Sequence, residues 1–217
     1  MTRPKLYIGN RNYSSWSLRA WFLLAEADIA FDEERLPLDT REFEERIGAI
    51  SPSRRVPVLV LDDAKVWDSL AIGETVAERW PDKGLWPSDS AARAHARSIS
   101  AEMHAGFAAL RAEMPMNCRA MGRQVPLSPG LKADIDRIFA IWSDCAERYG
   151  GGWLFDRYSV ADAMYAPVVL RFRTYGVDLP QAARGYADRV LQSRALQKWL
   201  AAAESETEVL EREEIGQ

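Results

Sequence analysis

The sequence predicts an α/β domain followed by an all-helical domain. Within the first 80 residues, short apolar runs alternate with helical patterns in the order βαβαββα, ending in an antiparallel hairpin and a helix. Residues 80–88 then carry two prolines, a glycine and an aspartate, a composition typical of a linker. Beyond this linker every apolar pattern has the period of a helix. We therefore expect one domain at residues 1–80 and a second at residues 90–205.

The N-terminal elements follow from the spacing of their apolar side chains. A short apolar strand at residues 6–8 leads through a polar loop into a helix whose pattern begins near Ser17. Residues 30–38 predict a second strand, polar enough to lie at a sheet edge. The remaining predicted elements are a short helical or irregular piece at residues 41–50, a strand ending at Leu61, a returning strand at residues 65–67, and a helix opened by Asp68 and Ser69.

The helical half contains three long amphipathic patterns. Residues 91–114 predict one continuous helix, and residues 131–149 carry an apolar stripe that stops at three consecutive glycines. Residues 159–175 predict another helix, with Pro167 inside it, and one or two shorter helices follow. Residues 204–217 are rich in charge, so we expect them to fray.

Composition argues against several classes of function. The 217 residues carry a net charge of −4 with both signs interspersed, so no nucleic-acid-binding face is expected. No apolar run approaches the roughly 18 residues of a membrane span, so no membrane partner is expected. Cys118 and Cys145 form no CxxC pair, which favours free thiols and a cytoplasmic location. His95 and His104 are wrongly spaced for a helical zinc pair, so we expect no metal site.

Three hydroxyl side chains, those of Tyr13, Ser14 and Ser15, precede the first helix. A helix N-terminus has unpaired N–H groups and a partial positive charge, so it stabilises an anion placed there. A hydroxyl at this position can donate a hydrogen bond to that anion. It can equally act as an N-cap, a common role of serine before a helix. The loop alone favours the cap.

Two further loops reach the same end of the sheet in a fold of this order. The proline of Val56-Pro57 lies just ahead of an apolar strand and predicts a tight turn, with a cis peptide bond between the two residues. Such a turn exposes the main chain of Val56 for pairing with a peptide. Asp68 and Ser69 open a helix whose N–H groups suit a carboxylate. Together the loops predict a cradle for a small extended peptide.

Four segments of the chain can be compared with known motifs: SSWSLR at residues 14–19, SRRVPVL at residues 53–59, WDSLAI at residues 67–72 and SVADAMYAPV at residues 159–168. Each resembles a motif of the glutathione transferase family. The first is similar to the S-[SP]-x-S-x-R loop of the serine-type classes, zeta and tau among them. The next two are similar to the GKVPVL and ESxAI segments, with Asp68 in place of glutamate. The last is similar to the capping box of a buried helix.

The resemblance covers residues 5–200 and implies a thioredoxin-like domain followed by a helical domain. It also implies glutathione as co-substrate, with Ser14 donating a hydrogen bond to the sulfur and favouring thiolate over thiol. Ser15 is the alternative donor, and Ser17 is expected to cap the helix or face solvent. Tyr7 is expected in the core. The residues expected to hold glutathione are Arg55, Val56, Pro57, Asp68 and Ser69.

The second substrate is expected to contact Trp16 and the first long helix of the helical domain. On that helix Met103 and Phe107 belong to an apolar stripe, which favours a core role, while His104 and Arg111 share a face beside it. The substrate-binding residues expected are therefore Trp16, Met103, His104, Phe107 and Arg111.

Three functions fit the resemblance. The first is conjugation of glutathione to a small hydrophobic electrophile, and the second is a zeta-like glutathione-dependent cis–trans isomerisation. The third is ligand binding without turnover, which the intact Ser14, Val56-Pro57 and Ser69 argue against. The loop has no cysteine at position 14, so disulfide-reducing chemistry is not expected. The family also implies a homodimer.

Overall fold

The computed structural model describes residues 3–62 and 64–216. These residues form a four-stranded sheet in the order β2-β1-β3-β4, with β2 parallel to β1 and the other pairs antiparallel. The predicted order βαβαββα is confirmed. The strands are β1 (Lys5–Ile8), β2 (Asp32–Arg35), β3 (Val58–Leu61) and β4 (Ala64–Trp67), and the helices among them are α1 (Ser15–Glu26), α2 (Arg41–Ile50) and α3 (Ser69–Arg79).

The two faces of the sheet are separated by the alternation of side chains along β1. Leu6 and Ile8 are fully buried in the main core, which also contains α1 and α3. Tyr7 points the other way and packs against a small cluster that includes Phe43 and Ile47 of α2. Tyr7 is thus partly buried in this minor cluster, on the face opposite α1.

In the part that the structure describes, the chain after α3 forms helices joined by loops and no strand, apart from isolated bridges near residue 155. The predicted change from α/β to all-α is confirmed. One of the helices, α7, is buried along nearly its whole length and packs against α1 and α4. The helices are α4 (Ser90–Ala105), α5 (Ala108–Glu113), α6 (Pro129–Tyr149), α7 (Val160–Thr174), α8 (Gln181–Gln192) and α9 (Arg194–Glu204).

The continuous helix predicted for residues 91–114 is wrong, because the chain breaks at Gly106 and Phe107. Gly106 ends α4, and Phe107 has a positive φ of 61° before α5 begins. A Cβ on Gly106 would lie 2.9 Å from the carbonyl oxygen of Glu102, so only glycine fits this close approach. Apolar side chains stay in helical register across the break, which is why the periodicity does not reveal it.

The start of α7 has the capping box that the sequence predicts. The Asp162 carboxylate accepts hydrogen bonds from the Ser159 N–H at 2.8 Å and the Ser159 hydroxyl at 2.9 Å. It also accepts the N–H of Leu154 at 2.9 Å, which ties the preceding loop to the helix. Asp162 is fully buried, and burial raises the pKa of its carboxyl to about 7 although these donors oppose the shift.

The expectation that residues 204–217 fray is wrong for residues 205–216, here called the C-terminal segment; Gln217 lies outside the described residues. Glu206 and Leu210 of this segment are buried. Arg119 donates to the carbonyl oxygen of Glu208 at 2.8 Å, and Glu214 accepts the Tyr13 hydroxyl at 2.6 Å. The charge in this segment is matched by partners from distant parts of the chain, so the segment packs.

Within residues 3–62 and 64–216, no helix has both the length and the apolar character needed to cross a membrane. Both cysteines are buried and free. The same residues contain no group of three or more His, Cys, Asp or Glu side chains arranged to hold a metal ion.

Candidate active site

A cleft of about 390 Å³ lies where the starts of α1 and α3 meet the loop before β3 and the end of α4. This volume is within the range of roughly 300–1,000 Å³ typical of small-molecule sites. Seven of the predicted site residues line it, together with Ser53 and Trp67, which the sequence did not single out. The seven are Trp16, Arg55, Val56, Pro57, Asp68, Ser69 and His104.

Ser14 is the N-cap of α1 and lies beside the cleft wall rather than in it. Its hydroxyl oxygen accepts the Ser17 N–H at 3.3 Å, and its proton is donated to the Ser17 Oγ at 2.8 Å. Ser17 Oγ also accepts the Gly9 N–H at 3.0 Å. Ser17 is fully buried, so the expectation that it caps the helix or faces solvent is wrong. It connects Ser14 to the end of β1.

Ser15 is the first residue of α1, and its hydroxyl faces the helical domain. Its Oγ accepts a hydrogen bond from the Arg171 guanidinium at 3.3 Å. Both side chains are buried, at 6% and 5% exposure respectively. The two neighbouring serines therefore have different surroundings: Ser14 bonds within its own domain, and Ser15 bonds across to α7.

The peptide bond between Val56 and Pro57 is cis, as predicted. Both residues line the cleft, as does Arg55, whose N–H donates to the Ser51 hydroxyl at 3.3 Å. Arg54 instead forms an ion pair with Glu44 at 3.3 Å and is not among the residues that line the cleft. Of the two adjacent arginines, Arg54 and Arg55, only Arg55 lines the cleft.

The start of α3 forms another wall. Asp68 has a positive φ of 74° and caps the helix by accepting the Leu70 N–H at 2.8 Å. Its other oxygen lies 3.1 Å from His104 Nε2, across the cleft from α3. Ser69 is buried, and among residues 3–62 and 64–216 its hydroxyl has no hydrogen-bond partner. A buried, unpartnered hydroxyl beside helix N–H groups suits an anionic ligand.

Trp16 forms the wall near the start of α1, with its ring edge-on to His104 at 5.2 Å between centroids. The guanidinium carbons of Arg19 and Arg111 lie 4.4 Å and 4.9 Å from the Trp16 ring centroid. The expectation that His104 and Arg111 share one helix face is wrong, because the break at Gly106 turns α5 away. Arg111 folds back and donates to the Gly106 carbonyl at 3.0 Å, capping the end of α4.

Two other predicted residues of the electrophile site belong to the core. Met103 and Phe107 are buried and do not line the cleft.

Glu206 is a residue of this region that the sequence did not indicate. Its carboxylate accepts the N–H groups of Arg11 at 2.8 Å and Asn12 at 3.1 Å, so it holds the loop that leads to Ser14. Its side chain is 5% exposed and lies 3.7 Å from Arg35. No local sequence signal could have identified it, because its partners are about two hundred residues away.

We expect Glu206→Ala to lower the free energy of unfolding by about 2 kcal/mol, since it leaves two N–H groups unpaired, at least one of them buried. Hydrogen exchange should become faster at the amides of Arg11 and Asn12. Glu204→Ala, at the exposed end of α9, is the matched control and should change neither quantity. Unchanged protection of both amides in Glu206→Ala would contradict the assignment.

Comparison with known proteins agrees with this geometry. The glutathione S-transferase N-terminal domain matches residues 13–79, and the glutathione S-transferase C-terminal domain matches residues 92–202. A probable maleylacetoacetate isomerase of Caenorhabditis elegans is 34% identical over 105 residues, which is 48% of each chain. The maleylacetoacetate isomerase of Rattus norvegicus is 28% identical over 183 residues, covering 82% of each chain.

Solved structures share the fold. A glutathione transferase homologue from Burkholderia, crystallised with bound glutathione, has a TM-score of 0.72 at 23% identity, covering 94% of this chain and all of that one. A tau-class glutathione S-transferase from mango has a TM-score of 0.69 at 19% identity, covering 93% and 96%. The predicted architecture, a thioredoxin-like domain followed by a helical domain, is confirmed. With both domains matched, the chain belongs to the glutathione S-transferase family.

Proposed function

We propose that this protein is an enzyme that binds glutathione in the cleft and directs its thiol at a small hydrophobic electrophile. The observation that carries the proposal is the arrangement of two helix N-terminal ends on one cleft. The start of α1 offers a place for a thiolate, and the start of α3, with the unpartnered hydroxyl of Ser69, offers a place for a carboxylate.

The residues of the cleft fit glutathione, which is an extended, anionic tripeptide. Ser69 and the first N–H groups of α3 would hold a carboxylate at one end. Arg55, which also lines the cleft, would attract the other carboxylate, and the main chain of Val56 would pair with the peptide. Asp68 caps α3 and pairs with His104, so we assign it to positioning this wall rather than to direct capture of the ammonium group.

Glutathione supplies the thiol, and the chain supplies the environment that ionises it. Ser14 donates a hydrogen bond toward the sulfur, with Ser15 as the alternative, and the N-terminus of α1 adds its partial positive charge. Trp16 and His104 form the wall that an electrophile would contact, with Arg111 behind Trp16 and with Met103 and Phe107 in the core. The homodimer expected from the family stays a prediction.

Glutathione-dependent isomerisation is the second candidate. The relatives named maleylacetoacetate isomerase favour it, because one of them matches over 82% of this chain. The two reactions differ in what happens to the thiol. Conjugation consumes glutathione and forms a thioether, whereas isomerisation returns glutathione unchanged.

Glutathione should raise the melting temperature of the wild-type protein. Ser69→Ala should weaken glutathione binding about 10- to 100-fold, since a hydrogen bond to a charged group contributes about 1.5–3 kcal/mol. Ser98→Ala, on the exposed face of α4, is the matched control and should bind glutathione like the wild type.

Thiol titration against a panel of aryl halides, Michael acceptors and cis-enediones separates the two reactions. Glutathione binding without turnover of any class would support the non-catalytic alternative, and no binding would contradict the proposal.

A further inference from the structure

Three arginines lie behind the start of α1 with no carboxylate partner. Arg19 and Arg171 are buried, and Arg111 is half-buried. Among residues 3–62 and 64–216, no carboxylate oxygen is within ion-pair distance of any of the three. Buried charges are normally paired, so this cluster of like charges requires an explanation.

Main-chain carbonyl groups hold each guanidinium in place. Arg19 donates to the carbonyl of Met164 at 3.2 Å, and Arg111 donates to that of Gly106 at 3.0 Å. Arg171 donates to the carbonyl of Met114, at the end of α5. These bonds satisfy hydrogen-bonding groups but bring no negative charge into contact with the guanidinium groups. The acids that act on the three arginines, Asp68, Asp134 and Glu213, do so from beyond ion-pair distance. These hydrogen bonds hold the three guanidinium groups in place, so the side chains cannot move to form an ion pair with a more distant carboxylate.

Arg171 is the member that touches the start of α1, through its hydrogen bond of 3.3 Å to Ser15 Oγ. The donated bond occupies a lone pair of Ser15 and adds a full charge next to the partial charge of the helix N-terminus. Ser15 directly follows Ser14, so this charge lies one residue from the proposed thiol-activating serine.

The cluster is unfavourable in isolation. Burial and the neighbouring Arg111 lower the pKa of Arg171 to about 10, and burial together with Arg111 and Arg171 lowers the pKa of Arg19. Arg171 stays charged at neutral pH. An anion at the start of α1 would offset this repulsion, and the cleft beside Trp16 is where such an anion can reach.

We propose that Arg171 is a positioning residue of the thiolate site, whose fixed charge acts through Ser15 to stabilise negative charge at the start of α1. The inference rests on the proposed function, because the anion is the thiolate of bound glutathione. It adds a residue of the helical domain, on α7, to a site otherwise built at the start of α1.

Other charged and titratable side chains face Arg171, but they do not interfere with a measurement of how the glutathione thiol ionises. The charged ones are Arg19 on α1, Arg111 on α5 and Glu213 in the C-terminal segment. Tyr175, on the same side of α7, has a raised pKa, and burial raises the pKa of the Cys118 thiol to about 12. Neither the phenol nor this thiol therefore ionises near neutral pH, so an ionising thiol observed there belongs to glutathione.

The test is the pH midpoint of thiolate absorbance in the complex of the protein with glutathione alone. Arg171→Met should raise the midpoint by about one pH unit, which is a tenfold fall in the ratio of thiolate to thiol at a given pH. Arg171→Lys keeps the charge and should therefore keep most of the low pH midpoint. If Arg171 acted only through the planar geometry of its guanidinium group, the lysine variant would lose that midpoint as the methionine variant does. Ser15→Ala leaves the charge in place and should shift the midpoint less. Arg173→Met, two residues along α7 and away from the cleft, is the matched control.

A folded Arg171→Met protein that binds glutathione with the wild-type midpoint would overturn the inference. If that variant does not fold, Arg171→Gln takes its place. Glutamine removes the charge and keeps an amide donor for the Met114 carbonyl. An unshifted midpoint in this variant overturns the inference equally. A wild-type protein that binds no glutathione overturns the proposed function and this inference with it. If the wild-type protein binds glutathione and ionises its thiol, but the Arg171 variants have the same pH midpoint, only this inference is overturned and the proposed function stands.

Discussion

Ser14→Ala is expected to lower glutathione-dependent turnover at neutral pH about 100- to 1,000-fold, by analogy with removing one oxyanion-hole donor, at about 2.7–4 kcal/mol. In the proposed function the hydroxyl donates to the sulfur more strongly as the thiolate forms, so its loss should raise the pKa of bound glutathione and change glutathione affinity little. The measurement is the pH–rate profile, with the thiolate absorbance of the binary complex beside it.

The bonds around Ser14 show how the proton becomes available. In the structure Ser14 donates to Ser17 Oγ, which also accepts the Gly9 N–H. If both hydroxyls rotate, Ser17 donates to Ser14 and the Ser14 proton is free to reach the sulfur. Gly9 holds Ser17 in place throughout, so the rotation needs no movement of the main chain.

A control must separate chemistry from capping, because Ser14 also caps α1 and its loss should cost about 1 kcal/mol of stability. Ser128→Ala removes the equivalent cap of α6, where the Ser128 hydroxyl accepts the Leu131 N–H at 3.1 Å. It should lose similar stability and keep full activity. If Ser14→Ala leaves the pH–rate profile unchanged and Ser15→Ala or Tyr7→Phe shifts it, the hydroxyl that donates to the sulfur is that of Ser15 or Tyr7 and not that of Ser14.

Asp162→Ala is expected to destabilise the fold by at least about 3 kcal/mol, because it leaves the N–H groups of Leu154 and Ser159 buried and unpaired. Urea unfolding measures the loss. The carboxyl binds a proton more tightly in the folded state, where its pKa is about 7, than at its ordinary value of 3.8. Its contribution to stability is therefore full below pH 4 and falls as the pH rises toward 7, a slope that the alanine variant should lack.

Asp136→Ala is the matched control for this variant. Asp136 is an exposed acid on α6 that pairs with Lys132 one turn away at 2.5 Å. Such exposed pairs contribute about 0.5 kcal/mol or less. A loss in Asp162→Ala no larger than that of Asp136→Ala would mean that the capping box does not hold α7.

The sequence predicts the features that depend on local pattern. The order of strands and helices along the chain, the cis bond before Pro57 and the capping box at Ser159 follow from apolar spacing, proline chemistry and cap motifs. The break at Gly106 escapes because apolar positions on both sides keep one helical register. Burial of Arg171 and Glu206 escapes for a different reason. Arginine and glutamate are usually solvated, and only partners distant in sequence place these two inside.

The site residues divide in the same way. Ser69, Val56 and Arg55 lie on loops whose meeting point is a property of the fold order, so the sequence could bring them together. Ser17 carries a signal in the SSxS spacing, but its contact with Gly9 depends on how the loop closes against β1. Arg111 was expected on the face of a longer helix and instead caps α4, because the chain turns at Phe107.

The bond between Glu206 and the main chain of Arg11 spans 195 residues. During synthesis the loop before Ser14 leaves the ribosome long before the carboxylate that fixes it. The loop before α1 therefore acquires its final geometry only when the helical domain is already made. For the same reason, trimming the chain after α9 removes a part of the active-site support, although the cut lies far from Ser14 in sequence.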